Sequence, residues 1–519
     1  MASQREVGSV AQRKKILVLT TASLVCSMIM LDSNIVAVSL PAIARSLHAS
    51  FTDIEWVVSA YVLTFAALLM AAGSYADRHG RKLAVLIGLA VFAVASGLCG
   101  LATSAIMLNL ARALQGVGAS LLLTAALAVI NHTFDGSERA RAYAFWGSCI
   151  GIAITSGPII GGIITNLAGW RWAFLINLPI CAILIAVSFY ILSESSDHEA
   201  KRLDFAGIVT FSTGLFLLIW ALIDGNTAGW ASRSIMCRFV GAVVLLAAFI
   251  FVELRQERPM VDFALFTQRD FLGSVFAMLG YAGGAQVMIF FLPMFLQNAY
   301  GYEPAAAGLA MVPFALPMFL TPRFGGRLAN RHSVRSLLAI GLITTFVGDI
   351  LLYEFARAGV KYLVFAAGML VVGAGAGLLN SETTKAMQGA VPAQRGGMAS
   401  GLTSTVRFVG LLLGVAGLGA VLSKAVSREF TAAATVQSLD PRLATAAAKR
   451  VASGDLSGFI GAVPPGLQSG VHRAAQAAFA GGFATVSLVA AAVAAASCIL
   501  TLILTRTKNV VVSPANGVR

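Results

Sequence analysis

Runs of about 20 mainly apolar residues recur fourteen times along this chain, each long enough to cross a bilayer core of about 30 Å as a helix. They fall near residues 16 to 38, 54 to 72, 83 to 103, 106 to 128, 141 to 165, 172 to 192, 203 to 222 and 238 to 253. Six more follow near 271 to 297, 305 to 322, 335 to 355, 361 to 381, 397 to 423 and 476 to 505. A chain of 519 residues would otherwise suggest three or four soluble domains. Its 58% apolar residues, 12% charged residues and mean hydropathy of +0.83 place it in the membrane class instead. The expected fold is an all-α integral membrane protein.

The net charge of +14 does not point to nucleic acid. Lys and Arg sit in short clusters between apolar runs, with no basic tract interleaved with aromatics, so their partner is the lipid surface. Counted on alternate connections, they are in excess on the side that carries the N-terminus, which predicts both termini in the cytoplasm. Cys26, Cys99, Cys149, Cys181, Cys237 and Cys498 lie in or beside apolar runs without Cys-x-x-Cys spacing and read as small apolar residues. His48, His79, His132, His198, His332 and His472 fall outside the spans without ligand spacing, so no metal is expected. No Gly-Lys of a phosphate-binding loop, no His-Glu-x-x-His and no Gly-x-Ser-x-Gly is present, which argues against a cofactor or an enzyme.

A polar knot, Gly73-Ser-Tyr-Ala-Asp77-Arg78-His-Gly80-Arg81-Lys82, separates the second and third runs. Gly73 would allow close backbone approach, Gly80 would permit positive φ, and the basic residues would face anionic headgroups. The knot partly repeats 253 residues on, as Gly326-Arg-Leu-Ala-Asn330-Arg331-His332. Gly147 and Gly151 of the fifth run likewise find counterparts in Gly410 and Gly414 of the thirteenth. Two six-helix halves are implied, with the substrate site at their interface. The expected division is a cytoplasmic N-terminus at 1–15, a bundle at 16–192, a linker with two extra helices at 193–270, a bundle at 271–505 and a cytoplasmic tail at 506–519. An extracytoplasmic loop at 424–474 would be mobile or hold a short amphipathic helix.

Charges within the runs are few and costly, at least about 2.5 to 3.5 kcal/mol each at mid-membrane. Asp32 and Arg112 each lie about seven residues from the outer end of their runs, so both sit about 10 Å deep and could face one cavity. Arginine does not titrate, so its role would be to bias a neighbouring carboxylate, and Asp32 is the candidate. A structural ion pair would look the same in sequence. Arg407, Asp349, Gln286 and Gln297 are further polar groups within runs that could face the pathway. Glu382 reads as a surface carboxylate beside Lys385.

The knot resembles the signature loop between the second and third helices of the major facilitator superfamily. Leu31-Asp-Ser-Asn34-Ile-Val-Ala-Val-Ser-Leu-Pro41 resembles the first-helix motif of its fourteen-helix drug:proton antiporter branch. The run Leu108 to Gly118, with Arg112, Gln115, Gly116 and Gly118, looks like the fourth-helix motif associated with proton transfer. The run Gly151 to Gly162, with Gly157, Pro158 and Gly161, is similar to the antiporter motif. The resemblance implies a proton-coupled exporter of lipophilic compounds, a multidrug efflux and antibiotic-resistance function in a bacterial inner membrane. A deep carboxylate hints at cationic substrates. Asp32 and Arg112 would couple protons. Asn34, Gln115, Gln286, Asp349 and Arg407 would lie on the substrate pathway, and Gly73, Asp77, Arg78, Gly80, Arg81 and Lys82 would latch the cytoplasmic side. The expected partners are a small substrate, protons and the bilayer, with the chain acting as a monomer. Export of one metabolite or self-made toxin is the alternative within transporters, and a receptor or scaffold the alternative outside them.

Overall fold

A computed structural model describes residues 2–505 apart from 135, 196–204, 257–260, 262, 330–331, 390–395, 437–440, 455–462 and 464. The expected tail at 506–519, and Asn330 and Arg331 of the repeated knot, lie outside the described residues. Among the described residues every regular element is helical, and fourteen segments are long and apolar enough to span a membrane.

The first group comprises α1 (Ala2–Leu47), α2 (Phe51–His79), α3 (Arg81–Gly100), α4 (Ala105–Thr133), α5 (Gly136–Ala168) and a sixth span broken into α6 (Trp172–Leu175) and α7 (Asn177–Ile191). The inserted pair follows as α8 (Phe205–Ala228) and α9 (Arg233–Arg255). The second group opens with α10 (Arg269–Gly280) and α11 (Met288–Asn298), joined through a π-helical turn at Tyr281–Gln286. It continues with α12 (Pro304–Ala310) and α13 (Val312–Ala329), α14 (Val334–Ala358), α15 (Tyr362–Gly389) and α16 (Gly396–Val436). It ends with α17 (Pro441–Ser453) and α18 (Pro465–Leu504). Much of the expected loop at 424–474 is thus helical: α16 continues into it, and α17 is the short amphipathic helix.

Local chemistry sets the ends. Ser50 caps α2 in a reciprocal box, accepting from the Asp53 amide at 3.2 Å while Asp53 accepts from the Ser50 amide at 2.9 Å. Ser104, Ser232 and Ser333 cap α4, α9 and α14 in the simpler way. Gly80 turns α2 into α3 at φ 117°, the left-handed conformation that its sequence context predicts. The Glu194 carboxylate caps the start of α3, accepting from the Lys82 amide at 3.0 Å and the Leu83 amide at 3.1 Å. A Cβ on Gly80 would stand 2.5 Å from Glu194 Oε1, and that carboxylate cannot move without uncapping α3. Gly80→Ala is therefore expected to cost about 1–3 kcal/mol from the backbone alone, read as a lower midpoint in detergent thermal unfolding. An unchanged midpoint would mean that the turn re-forms differently.

In the first group α1 lies along α5, α2 and α3 along α4, and α3 along α7; in the second, α14 lies along α15 and α18, α13 along α15, and α16 along α18. Among the described residues the groups meet at three seams, α2 with α16 and α17, α5 with α12 and α13, and α1 with α11 and α12, while α8 rests on both α2 and α16. The contacts tying the seams together run from the end away from the Gly73–Lys82 turn, here the far end, to mid-membrane. Gln297 Nε2 donates to the Val38 carbonyl at 2.8 Å, and Thr155 Oγ1 to the Ala315 carbonyl at 3.4 Å. Phe65 meets Phe408 edge to face at 4.5 Å. Glycine makes the α5 seam possible: added Cβ atoms on Gly162 and Gly308 would run into the carbonyls of Pro304 and Pro158 respectively. At the turn end, Asp77 instead accepts from Arg81 of its own group at 3.0 Å, and Lys82 Nζ donates to the Phe189 carbonyl at 2.6 Å.

Candidate functional site

Asp32 on α1 and Arg112 on α4 are 0% and 1% exposed and form an ion pair at 2.7 Å. Two charges taken out of water are tolerable only when their remaining hydrogen-bonding capacity is met, and here it largely is. Asp32 Oδ2 accepts from Arg112 Nη1, while Oδ1 accepts from Gln115 Nε2 at 2.9 Å and from Asn177 Nδ2 at 2.7 Å. Arg112 Nη1 also donates to Gln115 Oε1 at 2.7 Å, and Nε to the Val57 carbonyl at 3.0 Å. Its guanidinium lies 4.1 Å from the centroid of the Tyr61 ring and 5.8 Å from that of Phe174. Ser96 Oγ closes the network, accepting from Gln115 Nε2 at 2.9 Å and Asn177 Nδ2 at 3.4 Å.

Helix geometry puts these groups together. Arg112 and Gln115 are three apart on α4 and share a face, and Asn177 opens α7 at the break in the sixth span, which turns its amide inward. The depth arithmetic thus brings Asp32 and Arg112 into contact, and Gln115 joins them. Asn177 and Ser96 were not singled out by sequence. An asparagine inside the apolar run Leu175-Ile-Asn-Leu-Pro179 was the available signal for the first; a lone serine gives none. Asn34 lies apart from the network: its Nδ2 returns to the Met30 carbonyl at 2.6 Å, and its Cβ fills the space left by Gly157.

The second group holds a smaller polar cluster. Arg407 on α16 donates from Nε to Gln286 Oε1 at 3.0 Å and from Nη2 to the Tyr281 hydroxyl at 3.3 Å, so two of its bonds go to the π turn. Gly410 and Gly414 of α16 pack on Ala282 and Gly283 of the same turn. A π turn rotates the following helix relative to an α path and is frequent at functional sites. Asp349 stands apart on α14, fully buried, with neither oxygen bonded among the described residues. Glu382 corrects the sequence reading: it does pair with Lys385 at 2.7 Å, but at 2% exposure it is buried and not a surface carboxylate.

The antiporter-like run on α5 faces two ways. Gly157 and Gly161 admit Asn34 and Ile35 of α1, whereas Gly151, Pro158 and Gly162 lie against Phe319, Gly308 and Pro304 across the seam. In the polar turn, Arg78 is exposed and Arg81 is held by Asp77. At Gly73 the nearest atom to an added Cβ is Thr124 Cβ at 3.8 Å, an ordinary contact, so close approach is not what that position requires. Cys26, Cys99, Cys181 and Cys498 are buried as expected, while Cys237 is exposed on α9. No group of three or more His, Cys, Asp or Glu with metal-holding geometry occurs among the described residues.

The model of the Major Facilitator Superfamily matches residues 22–415. The chain belongs to that superfamily. Among its relatives is the multidrug resistance protein Stp of Mycobacterium tuberculosis (strain CDC 1551 / Oshkosh), 33% identical over 413 residues, 79% of this chain and 76% of that one. The tetracenomycin C resistance and export protein of Streptomyces glaucescens is 30% identical over 484 residues, 90% of this chain and 87% of that one. A bacterial homologue of the human lysosomal transporter Spinster, solved in an inward-facing and occupied conformation, shares the fold with a TM-score of 0.64 at 15% identity. That match covers 94% of this chain and 97% of the other. As a major facilitator the chain is a multi-pass membrane transporter of small substrates, not an enzyme.

Proposed function

We propose that the protein is a proton-coupled exporter of lipophilic small molecules that works by alternating access, and that Asp32 carries the proton. The observation that carries this reading is the buried network in which Asp32 depends on Arg112, Gln115 and Asn177. Protonating Asp32 removes the charge that Arg112 holds and turns one carboxylate acceptor into a donor, so the network must rearrange. A site that rearranges on protonation, with its carboxylate on α1, a helix that meets the second group, can link proton binding to opening.

In this reading both termini and the Gly73–Lys82 turn face the cytoplasm of a bacterial inner membrane, and the far end faces outward. Residues 16–192 and 271–505 are the two moving bundles, and the inserted pair lies within 193–270. The closed far end then corresponds to an inward-facing state. Asp77, bonded here to Arg81 of its own group, is free to latch across the halves when the cytoplasmic side closes. Arg407, Gln286 and Asp349 supply polar points along the second half of the pathway. One proton moving inward through 100 mV releases about 2.3 kcal/mol, enough for about a fifty-fold substrate gradient.

Export is supported by the names of the relatives, multidrug resistance and tetracenomycin C resistance and export. The second of these names one compound and so also favours a dedicated exporter. The test is proton release from energised inverted vesicles on adding lipophilic cations, neutral drugs or organic anions one class at a time. The native chain is expected to discharge the pH gradient with at least one class, and Asp32→Asn with none. Discharge by many compounds favours multidrug export, and discharge by one favours the dedicated reading. Equal discharge by the variant would remove Asp32 from proton coupling.

A further inference from the structure

A second buried carboxylate lies where the halves close. Glu55, one turn into α2 at the far end, is 5% exposed, and its Oε1 has no hydrogen-bond partner among the described residues. Its side chain fills the hollow left by Gly419 of α16, where an added Cβ would collide with Oε1. The site therefore belongs to both halves, because α2 supplies the acid and α16 supplies the socket. The inserted α8 forms its third wall. Trp56, next to Glu55, meets Phe216 at 5.9 Å, and Asn226 Nδ2 bonds the carbonyl of Ala420, next to Gly419.

Among the described residues the charges around it offer no counter-ion. From α8, Asp224 acts on Glu55 as a like charge, and Arg238 of α9 is committed to Asp224 at 2.7 Å. From α4, Arg112 is bound to Asp32. Asp53 on the same helix belongs to the Ser50 cap. Lys424 on α16, and Lys449 and Arg450 on α17, are exposed, and Arg45 of α1 and His48 just after it have interactions of their own. Among the described residues Oε1 has neither donor nor cation in this socket, so closure is compatible with the acid and opposed by the anion.

We propose that Glu55 is a proton-binding site built into the far-end gate, such that the α2–α16 seam closes with Glu55 protonated and opens when the proton leaves to solvent. The proposal rests on the alternating-access reading and gives it a second proton site, separate from Asp32 and reached from the outer solution when the gate is open. No bond other than O–H forms or breaks. The proton is taken from water on the far side before closure and returned there when the seam parts. Such a group makes far-end closure conditional on proton uptake.

The test reads distance and not transport. Exposed far-end positions Thr103 of the first group and Lys361 of the second are replaced by cysteine, with Cys149→Ser and Cys237→Ser removing the more accessible native thiols. The full-length protein is then spin-labelled in lipid nanodiscs. Pulsed dipolar spectroscopy is run from about pH 5 to about pH 9, a range that covers the values documented for buried glutamates. With one linked proton the open-to-closed ratio rises about tenfold per pH unit through the transition. The same rise is expected in Asp32→Asn, where the proton site of the export reading is gone, so failure of that reading leaves this result standing. Glu55→Gln is expected to stay closed throughout, and Gly419→Ala, which blocks the socket, to stay open throughout. A native pH response in Glu55→Gln, or loss of the response in Asp32→Asn with Glu55 intact, overturns the proposal.

Discussion

Arg112→Leu is expected to abolish transport and to destabilise the protein by about 3–5 kcal/mol, the cost of leaving one member of a buried pair without its partner. The substitution strands Asp32 at 0% exposure with only the neutral amides of Gln115 and Asn177, and it removes the donor to the Val57 carbonyl. It also leaves Tyr61 without the cation over its ring. The check is the unfolding midpoint in detergent together with efflux from cells expressing equal amounts of protein. The double variant Asp32→Asn with Arg112→Leu removes both charges at once and is expected to recover much of the stability while remaining unable to couple protons. A single variant as stable as the native chain would mean that water or a rearranged side chain replaces the guanidinium, and the pair would lose its structural weight.

Gly162→Leu is expected to slow transport about 5- to 150-fold by holding the α5 seam apart. Its Cβ would run into the Pro304 carbonyl and stand 3.1 Å from Ala305 Cα, both backbone atoms of α12 that no rotamer change can move. Overpacking of this kind costs about 1–3 kcal/mol. Here that cost falls on the far-end-closed state alone, which sets the size of the population shift. Gly147→Leu on the same helix is the control, because nothing lies within 4 Å of the added Cβ. Efflux rates for the two variants at matched expression separate a seam effect from a general loss of helix flexibility. Equal slowing by both would refute the seam account.

Much of this molecule is written in its one-dimensional pattern. Span number follows from run length because the bilayer sets one thickness for all spans, and Asp32 meets Arg112 because 1.5 Å per residue fixes their common depth. What length and depth do not encode is rotation and register. Gln286 and Arg407 are each conspicuous as polar groups in apolar runs. Their pairing depends on a π turn at Tyr281–Gln286 that Gly283 and Gly284 permit but do not specify. Glu382 stands near a predicted helix end, where a carboxylate reads as solvated, yet packing covers it. Glu55 escapes notice for the same reason: five residues after Ser50, it looks like part of a polar helix start, and only Gly419 from the other half reveals its socket. Glu194 crosses more than a hundred residues to cap α3, a distance over which local pattern carries no information.

The inserted pair α8 and α9 presents most of its surface outward, yet α8 lies along both α2 and α16 and so covers the line where those helices meet. The opposite line, between α5 and α12 with α13, has no such cover among the described residues. The wall that this transporter turns to the surrounding lipid is therefore lopsided, with one lateral line covered by α8, which α9 backs, and the other closed by direct packing of α5 on α12 and α13. A solute dissolved in the bilayer meets two unequal flanks, one faced by the extra helix pair and the other by the glycine-packed line between α5 and α12.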